Sequence, residues 1–329
     1  MEKVKDWLRL FRAQTAPATI LLILTPYLTA ASLYSFKTLC VSLFALLVHW
    51  ISFGHNSLLD TAMGYDLKDP SKRHHPLVAG RITLQAAHNV IHWSLSALAL
   101  AAILICLHFS PNPLNALISI FIWFVFGLAY NSGLSKECIL GFVPISVCFT
   151  AAGSFGWFLS HNSLDYIGIL YLAYSFCVIL FQIGWSGHLK DLSLRERSNF
   201  LIRLGAEIKE KNGAAYFSPG KAWLFAWLVK GLNLLFAYLL LWRNYTLVRL
   251  VITVIFSTLI ISFLHQLTKP RRYLRNRELL LMSIMEILSI YLVPWLMLDP
   301  LTVIVLEIIG VVYFFGVNRW IWSAPFPKV

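Results

Sequence analysis

The sequence predicts an all-α protein, a polytopic transmembrane bundle of nine to ten spans. Three observations predict it. The first is composition: of 329 residues, 58% are hydrophobic and only 13% charged, whereas soluble domains run at about 45–50% apolar and about 25% charged. A larger core cannot absorb that difference, so most of the surface must face lipid. The second is pattern. Apolar runs close to the roughly 20 residues that a spanning helix needs fall at 16–34, 37–58, 84–107, 112–130, 138–160, 165–187, 219–242, 247–267, 279–297 and 300–317. The third is charge. With the N-terminus in the cytoplasm, one side of the bilayer receives Lys3, Lys5, Arg9, Arg12, Lys68, Lys72, Arg73, Arg81, Lys136 and the basic residues of 188–221, 268–278 and the tail. The other side receives only Lys37, Arg243 and Arg249, the asymmetry of the positive-inside rule. Both termini and the loops 59–83, 188–218 and 268–278 are therefore expected in the cytoplasm, and 1–329 reads as a single domain.

The remaining features fit this frame. Trp7-Leu8-Arg9-Leu10-Phe11-Arg12 mixes apolar and basic residues and predicts a short interfacial helix ahead of the first span. The 12 Trp and 13 Tyr include many near the ends of apolar runs, where aromatic side chains anchor at the interface. A net charge of +12 would suggest nucleic acid on a soluble protein. Here the cations lie in loops between spans, so no nucleic acid is expected, and the same cations can attract anionic lipid or a diphosphate head group. The five cysteines, Cys40, Cys106, Cys138, Cys148 and Cys177, form no Cys-x-x-Cys pair, so neither a disulfide framework nor a cysteine metal site is read. No cleavable signal is read either, because the first apolar run is long enough to span.

Two polar constellations stand out, each at the end of a span that opens into a long loop. The second span runs into Asn56-Ser57-Leu58-Leu59-Asp60, followed by Asp66, Lys68 and Asp69. Asn56 and Asp60 are four apart and share a helix face. If the helix persists, Asp66 and Asp69 add two acceptors. Hard oxygens at the mouth of a bundle suit Mg²⁺, which keeps several waters and binds through one or two carboxylates plus substrate phosphates. Lys68, Lys72, Arg73, His74 and His75 supply positive charge for phosphate. The alternative is a solvated loop whose acids pair with its own bases. Against it, Asn56 and Asp60 directly continue an apolar span, and polar residues there tend to face a bundle interior or cavity. The sixth span ends in Gln182-Ile183-Gly184-Trp185-Ser186-Gly187-His188 and leads to Lys190 and Asp191. Two acidic helix ends could hold two metals that neutralise a diphosphate leaving group.

In these residues the chain resembles the UbiA superfamily of intramembrane prenyltransferases. Trp7 through Pro17 is similar to that family's N-terminus. Asn56 to Asp66 with Pro76-Leu77-Val78-Ala79-Gly80-Arg81-Ile82 resembles its first aspartate motif and the tail behind it. Tyr130 with Lys136 resembles its loop after the fourth helix, and Lys190-Asp191 with Arg203-Leu204-Gly205 its second motif. The departures are Ser57 where an Asp is common, Gly64 at the third acidic position, so that Asp66 or Asp69 substitutes from a differently shaped turn, His75 where an Arg precedes Pro-Leu, and Arg195 four residues after Asp191, with Glu196 beside it. The resemblance implies Mg²⁺-dependent transfer of a prenyl group from a polyprenyl diphosphate to a lipophilic or membrane-associated acceptor, in isoprenoid biosynthesis. It implies metal ligation by Asn56, Asp60, Asp66, Asp69 and Asp191, diphosphate contacts from Asn56, Arg73, Lys136, Lys190 and Arg195, and catalytic roles for Asp60, Asp191 and Tyr130, the last facing the cation or the acceptor.

Two other functions are weighed. A terpene cyclase on the same fold would capture the cation with the substrate's own double bond, and the degenerate second motif keeps it open. A transporter is disfavoured, because no paired Gly/Pro-broken helices occur in matching halves and the acids cluster at one face. Lys230, Glu286 and Glu307 fall inside spans. Such charges are costly, and they read as a helix-to-helix pair of Lys230 with one of the two acids. His88 and His92 share a face of the third span and read as packing residues, and Arg271, Arg272, Arg275 and Arg277 as a topology signal and lipid anchor.

Overall fold

A computed structural model describes residues 2–69, 72–134, 138–192, 199–211 and 213–322 of the protein. Among the described residues eight helices are long and apolar enough to cross a membrane, and Ala13–Leu28 and Phe142–Phe158 are shorter apolar helices. These ten correspond to the ten expected spans. Many of their apolar side chains point outward, for example Trp93, Phe121 and Trp242. Helices this apolar with uncovered faces belong in lipid, so the chain is an integral membrane protein.

The chain divides into two compact units. The first comprises Met1–Phe121, Phe155–Ser163 and Asp299–Val329. It opens with α1 (Glu2–Leu10), the expected interfacial helix displaced a few residues toward the N-terminus. Arg12 then takes a left-handed conformation, φ 47°, and breaks the chain before α2 (Ala16–Leu28). Ser35 caps α3 (Phe36–Ala62) by accepting from the Thr38 amide. After Gly64 (φ 80°) a single turn, α4 (Tyr65–Lys68), folds back. Thr83 caps α5 (Leu84–Phe109), and α6 (Pro113–Ala129) begins here and continues into the second unit. Gly156, near the end of α7 (Phe142–Phe158), lies so close to α2 that a Cβ there would sit 2.1 Å from the Ile23 carbonyl oxygen. Only glycine permits that approach.

The second unit comprises Ile122–Ser154 and Leu164–Leu298. The end of α6 loosens into a π-helical turn, Tyr130–Leu134. Asp165 caps α8 (Tyr166–Phe181), which passes through a second π segment, Gln182–Gly187, into α9 (His188–Lys190). The segment 188–218, expected as a loop, contains regular elements among its described residues. Asn199 caps α10 (Phe200–Arg203), and β1 (Glu207–Lys211) pairs antiparallel with β2 (Ala214–Ser218). β2 in turn pairs with β3 (Arg271–Arg272). α11 (Ala222–Arg243), α12 (Leu247–Thr268) and α13 (Arg275–Met297) complete this unit, and α14 (Pro300–Trp322) belongs to the first.

The sheet is fastened to the helices beside it. Phe217 of β2 joins Phe181, Trp185, Leu189, Leu264 and Met285 in one buried cluster. The Arg271 guanidinium lies 4.7 Å over the Phe217 ring and donates to the buried Glu278 carboxylate. Arg271 is thus a structural ion-pair partner as well as one of the basic residues expected to signal topology. The three cations at the opposite ends of the spans are also engaged: Lys37 over Phe109 at 5.7 Å, Arg243 over Tyr166 at 5.0 Å, and Arg249 donating to the carbonyls of Asn244, Trp295 and Leu298.

Of the intramembrane charges, Lys230 and Glu286 attract each other as expected, though without a direct salt bridge. Lys230 of α11 is buried, and its acceptor is a hydroxyl, Ser289 Oγ of α13 at 2.8 Å, in place of a carboxylate. Its ammonium also lies 4.6 Å over the Phe181 ring. His88 and His92 do pack together, ring centroids 4.1 Å apart, with His55 of α3 edge-on to His92 at 6.1 Å.

Candidate functional site

The first acidic end is built by α3. The helix is unbroken through Asn56 and Asp60, so their side chains lie one turn apart on one face, with Phe53 a turn below. Asn56 and Asp60 are both partly exposed, as donors reaching a mouth should be. Of the two ways in which Asp66 and Asp69 could follow, a longer helix or a differently shaped turn, the chain takes the turn. The helix stops at Ala62, and the left-handed Gly64 turns the chain back. Asp66 thereby becomes buried. Thr61 Oγ1 donates to its Oδ2 at 3.5 Å, and Lys72 Nζ lies 3.7 Å from Oδ1. Asp69 follows in extended conformation, its carbonyl accepting from the Lys72 amide at 2.9 Å.

Beyond it the turn Pro76–Gly80 closes through the Arg81 and Ile82 amides, both donating to the Pro76 carbonyl. Arg73 is exposed and donates from Nε to His74 Nε2 at 3.1 Å. His75 is half-buried and neither ring nitrogen finds a hydrogen-bond partner. Burial holds it down at about 4, helped by the Lys72 ammonium and opposed by Asp66. At neutral pH it adds no charge where the related pattern carries an arginine.

The sequence marks Arg12 as a topology charge and as part of the interfacial segment, but not as a site residue. Its guanidinium lies 5.4 Å over Phe53, one turn below Asn56, and its field also reaches His75. It is the one non-glycine residue with positive φ among the described residues. An αL arginine is uncommon and worth reading functionally, but no sequence pattern reports a φ angle.

The second acidic end closes α8. The π segment widens the helix before Lys190 and Asp191. Asp191 is partly exposed, and Lys190 Nζ lies 3.8 Å from its Oδ1. Asn199 donates to the His188 carbonyl at 2.8 Å while capping α10, and so pins the chain beyond the acid. Tyr130 begins the π-helical turn after α6 and is partly exposed. Lys136, Arg195 and Glu196 lie outside the described residues.

The donor chemistry is that of Mg²⁺. Asn56 and Asp60 offer hard oxygens, and Asp66 a further carboxylate. Among the described residues no three His, Cys, Asp or Glu side chains are grouped to hold a metal. The residues therefore fit an ion that draws much of its shell from phosphate and water, and do not form a protein-only cage.

Comparison with known proteins gives one family. The sequence matches the model of the UbiA prenyltransferase family over residues 15–290. No curated protein matches it by sequence. Among solved structures, a digeranylgeranylglyceryl phosphate synthase superposes with a TM-score of 0.61 at 18% identity, over 90% of this chain and 98% of that one. A UbiA homolog from Archaeoglobus fulgidus bound to GPP and Mg²⁺ gives 0.61 at 14% identity, over 88% and 98%. The apo UbiA homolog from Aeropyrum pernix K1 gives 0.62 at 13% identity, over 89% and 98%. At these identities the likeness is one of fold.

Proposed function

Because the chain belongs to the UbiA prenyltransferase family, we propose that it transfers the prenyl group of a polyprenyl diphosphate to a lipophilic or membrane-associated acceptor, with Mg²⁺ as cofactor. The observation that carries this reading is the end of α3, where Asn56 and Asp60 share one face and Asp66 is folded back behind them. The Archaeoglobus fulgidus homolog bound to GPP and Mg²⁺ supports the same choice of substrate and ion.

The proposed roles follow from chemistry. Asn56 and Asp60 would hold the ion at the first end directly, with Asp66 and Asp69 reaching it through water because the three carboxylates are not grouped around one point, and Asp191 would serve the second end. When bound, Mg²⁺ neutralises charge on the departing diphosphate. Arg73, exposed at the first end, can grip phosphate oxygens with a planar two-pronged fork, and Arg12 is added here as a second guanidinium. Lys190, with Lys136 and Arg195, contributes further cationic contacts. Lys72 pairs with Asp66 and orients its carboxylate. The ring of Tyr130 suits an allylic cation, because an aromatic face attracts positive charge, and its hydroxyl suits a polar acceptor. The clustering of basic residues in the termini and long loops favours a cytoplasmic site.

The test incubates purified protein, Mg²⁺ and prenyl diphosphates of several lengths with a membrane lipid extract, followed by mass spectrometry. Prenylated acceptors that disappear in chelator are expected. Cyclic hydrocarbons formed without an acceptor would replace transfer by cyclisation. Turnover of no prenyl diphosphate would overturn the reading.

A further inference from the structure

We propose that Asp6 is a positioning residue for the first acidic end, holding the turn behind Arg73 in place through Arg81; this rests on the prenyl-diphosphate reading above. Asp6 is the only acid between Glu2 and Asp60, in a segment otherwise rich in lysine and arginine. It lies on α1, yet is only 5% exposed. One of its oxygens, Oδ1, accepts from two guanidiniums, Arg9 Nη1 at 2.7 Å and Arg81 Nε at 3.0 Å.

Each arginine carries the tie onward. Arg81 donates from Nη2 to the His74 carbonyl at 2.8 Å, so it fixes the residue next to Arg73. Arg9 donates to the Ile321 carbonyl and lies 5.0 Å over Trp322, so it fastens α1 to the end of α14. Beside these ion pairs, Leu10 of α1 packs with Leu58, Leu77, Ile82 and Ile91. Leu58 lies two residues before Asp60, Leu77 lies in the turn and Ile82 just past it. One small core and one carboxylate thus brace the helix end that carries Asp60 against the loop that carries Arg73.

Charge explains why the acid is required. Arg9 and Arg81 are both held by one oxygen, and the other acid at Arg9, the exposed Glu2, lies farther off at 3.7 Å. With the carboxylate neutralised, the two guanidiniums repel each other and lose their charge-assisted bonds. Arg81 then no longer holds the His74 carbonyl, and the loop that grips diphosphate loses its brace. The loop touches binding more than bond breaking, so the loss should appear in KM. Uniform binding loss raises KM and leaves kcat unchanged.

The test uses Asp6→Asn and Asp6→Glu in the full chain in nanodiscs, with a nitroxide label at the exposed Ala79 (Ala79→Cys, with Cys40 and Cys138 changed to Ser). Asp6→Asn is expected to mobilise the label and to raise KM for prenyl diphosphate about tenfold with kcat within about twofold of the parent. Asp6→Glu should recover most of both. An immobile label in Asp6→Asn overturns the proposal, as does a mobile label with unchanged KM, or a fall in kcat alone. A parent that turns over no prenyl diphosphate defeats the functional reading separately. In that case the label still decides whether Asp6 holds the turn.

Discussion

The ammonium of Lys230 donates to Ser289 Oγ at 2.8 Å and has no carboxylate among its hydrogen-bond partners. Ser289 passes the bond on to the Met285 carbonyl, and Tyr174 donates to the Ser289 carbonyl. A buried charge held by a hydroxyl and an aromatic face, with Glu286 attracting it from a distance beyond a direct bond, is expensive, so removing the charge and removing its acceptor should have opposite consequences. Lys230→Met, which keeps length and bulk, should be neutral or stabilising in thermal melts of the purified protein. Ser289→Ala strands the ammonium and should destabilise by about 2 kcal/mol, the usual size for a lost hydrogen bond to a charged group. A larger loss in Lys230→Met than in Ser289→Ala would mean that the attraction between Lys230 and the buried Glu286 outweighs the cost of burying the ammonium.

His75 gives a pH dependence with a defined sign. Its pKa is held at about 4 in the folded protein, against about 6.5 in an unfolded chain. The unfolded chain therefore binds more protons between these values, and the stability from keeping His75 neutral is complete above about 6.5 and lost as pH falls toward 4. At pH 5 the loss is about 2 kcal/mol. His75→Leu should reduce the fall in melting temperature between pH 7 and pH 5. An equal fall in both proteins would assign the acid sensitivity to other groups.

Orientation is testable without activity. Cysteines introduced near 110 or 162, in a background lacking reactive thiols, should be labelled by an impermeant maleimide from outside intact cells, and cysteines near 72 or 209 should not. The reverse pattern would put the acidic ends on the outer face.

Much of this was legible in the sequence, for identifiable reasons. The spans were legible because lipid demands long apolar runs, and all ten expected segments correspond to helices. Asn56 and Asp60 were legible because a continuous helix converts a spacing of four into a shared face. The turn that carries Asp66 was legible only as an alternative to a longer helix, because the left-handed turn at Gly64 depends on a local φ that periodicity does not carry. The β-hairpin was missed because Glu207-Ile208-Lys209-Glu210-Lys211 is short and nearly all charged, with no apolar alternation to announce a strand. Its order comes from Phe217 and Arg271, far apart in sequence. The link from Asp6 to Arg81 spans 75 residues, and the hydroxyl partner of Lys230 lies 59 residues away. Neither distance leaves a local trace.

The most direct measurement is diphosphate release from a prenyl diphosphate by the purified protein, titrated with Mg²⁺, for the wild type and Asp60→Asn. The proposed mechanism predicts Mg²⁺-dependent release by the wild type and a fall of about 100-fold or more in the variant, the scale expected when preorganised transition-state charge stabilisation is lost, with little change in melting temperature. Undiminished release by Asp60→Asn, or by the wild type in excess chelator, would contradict it.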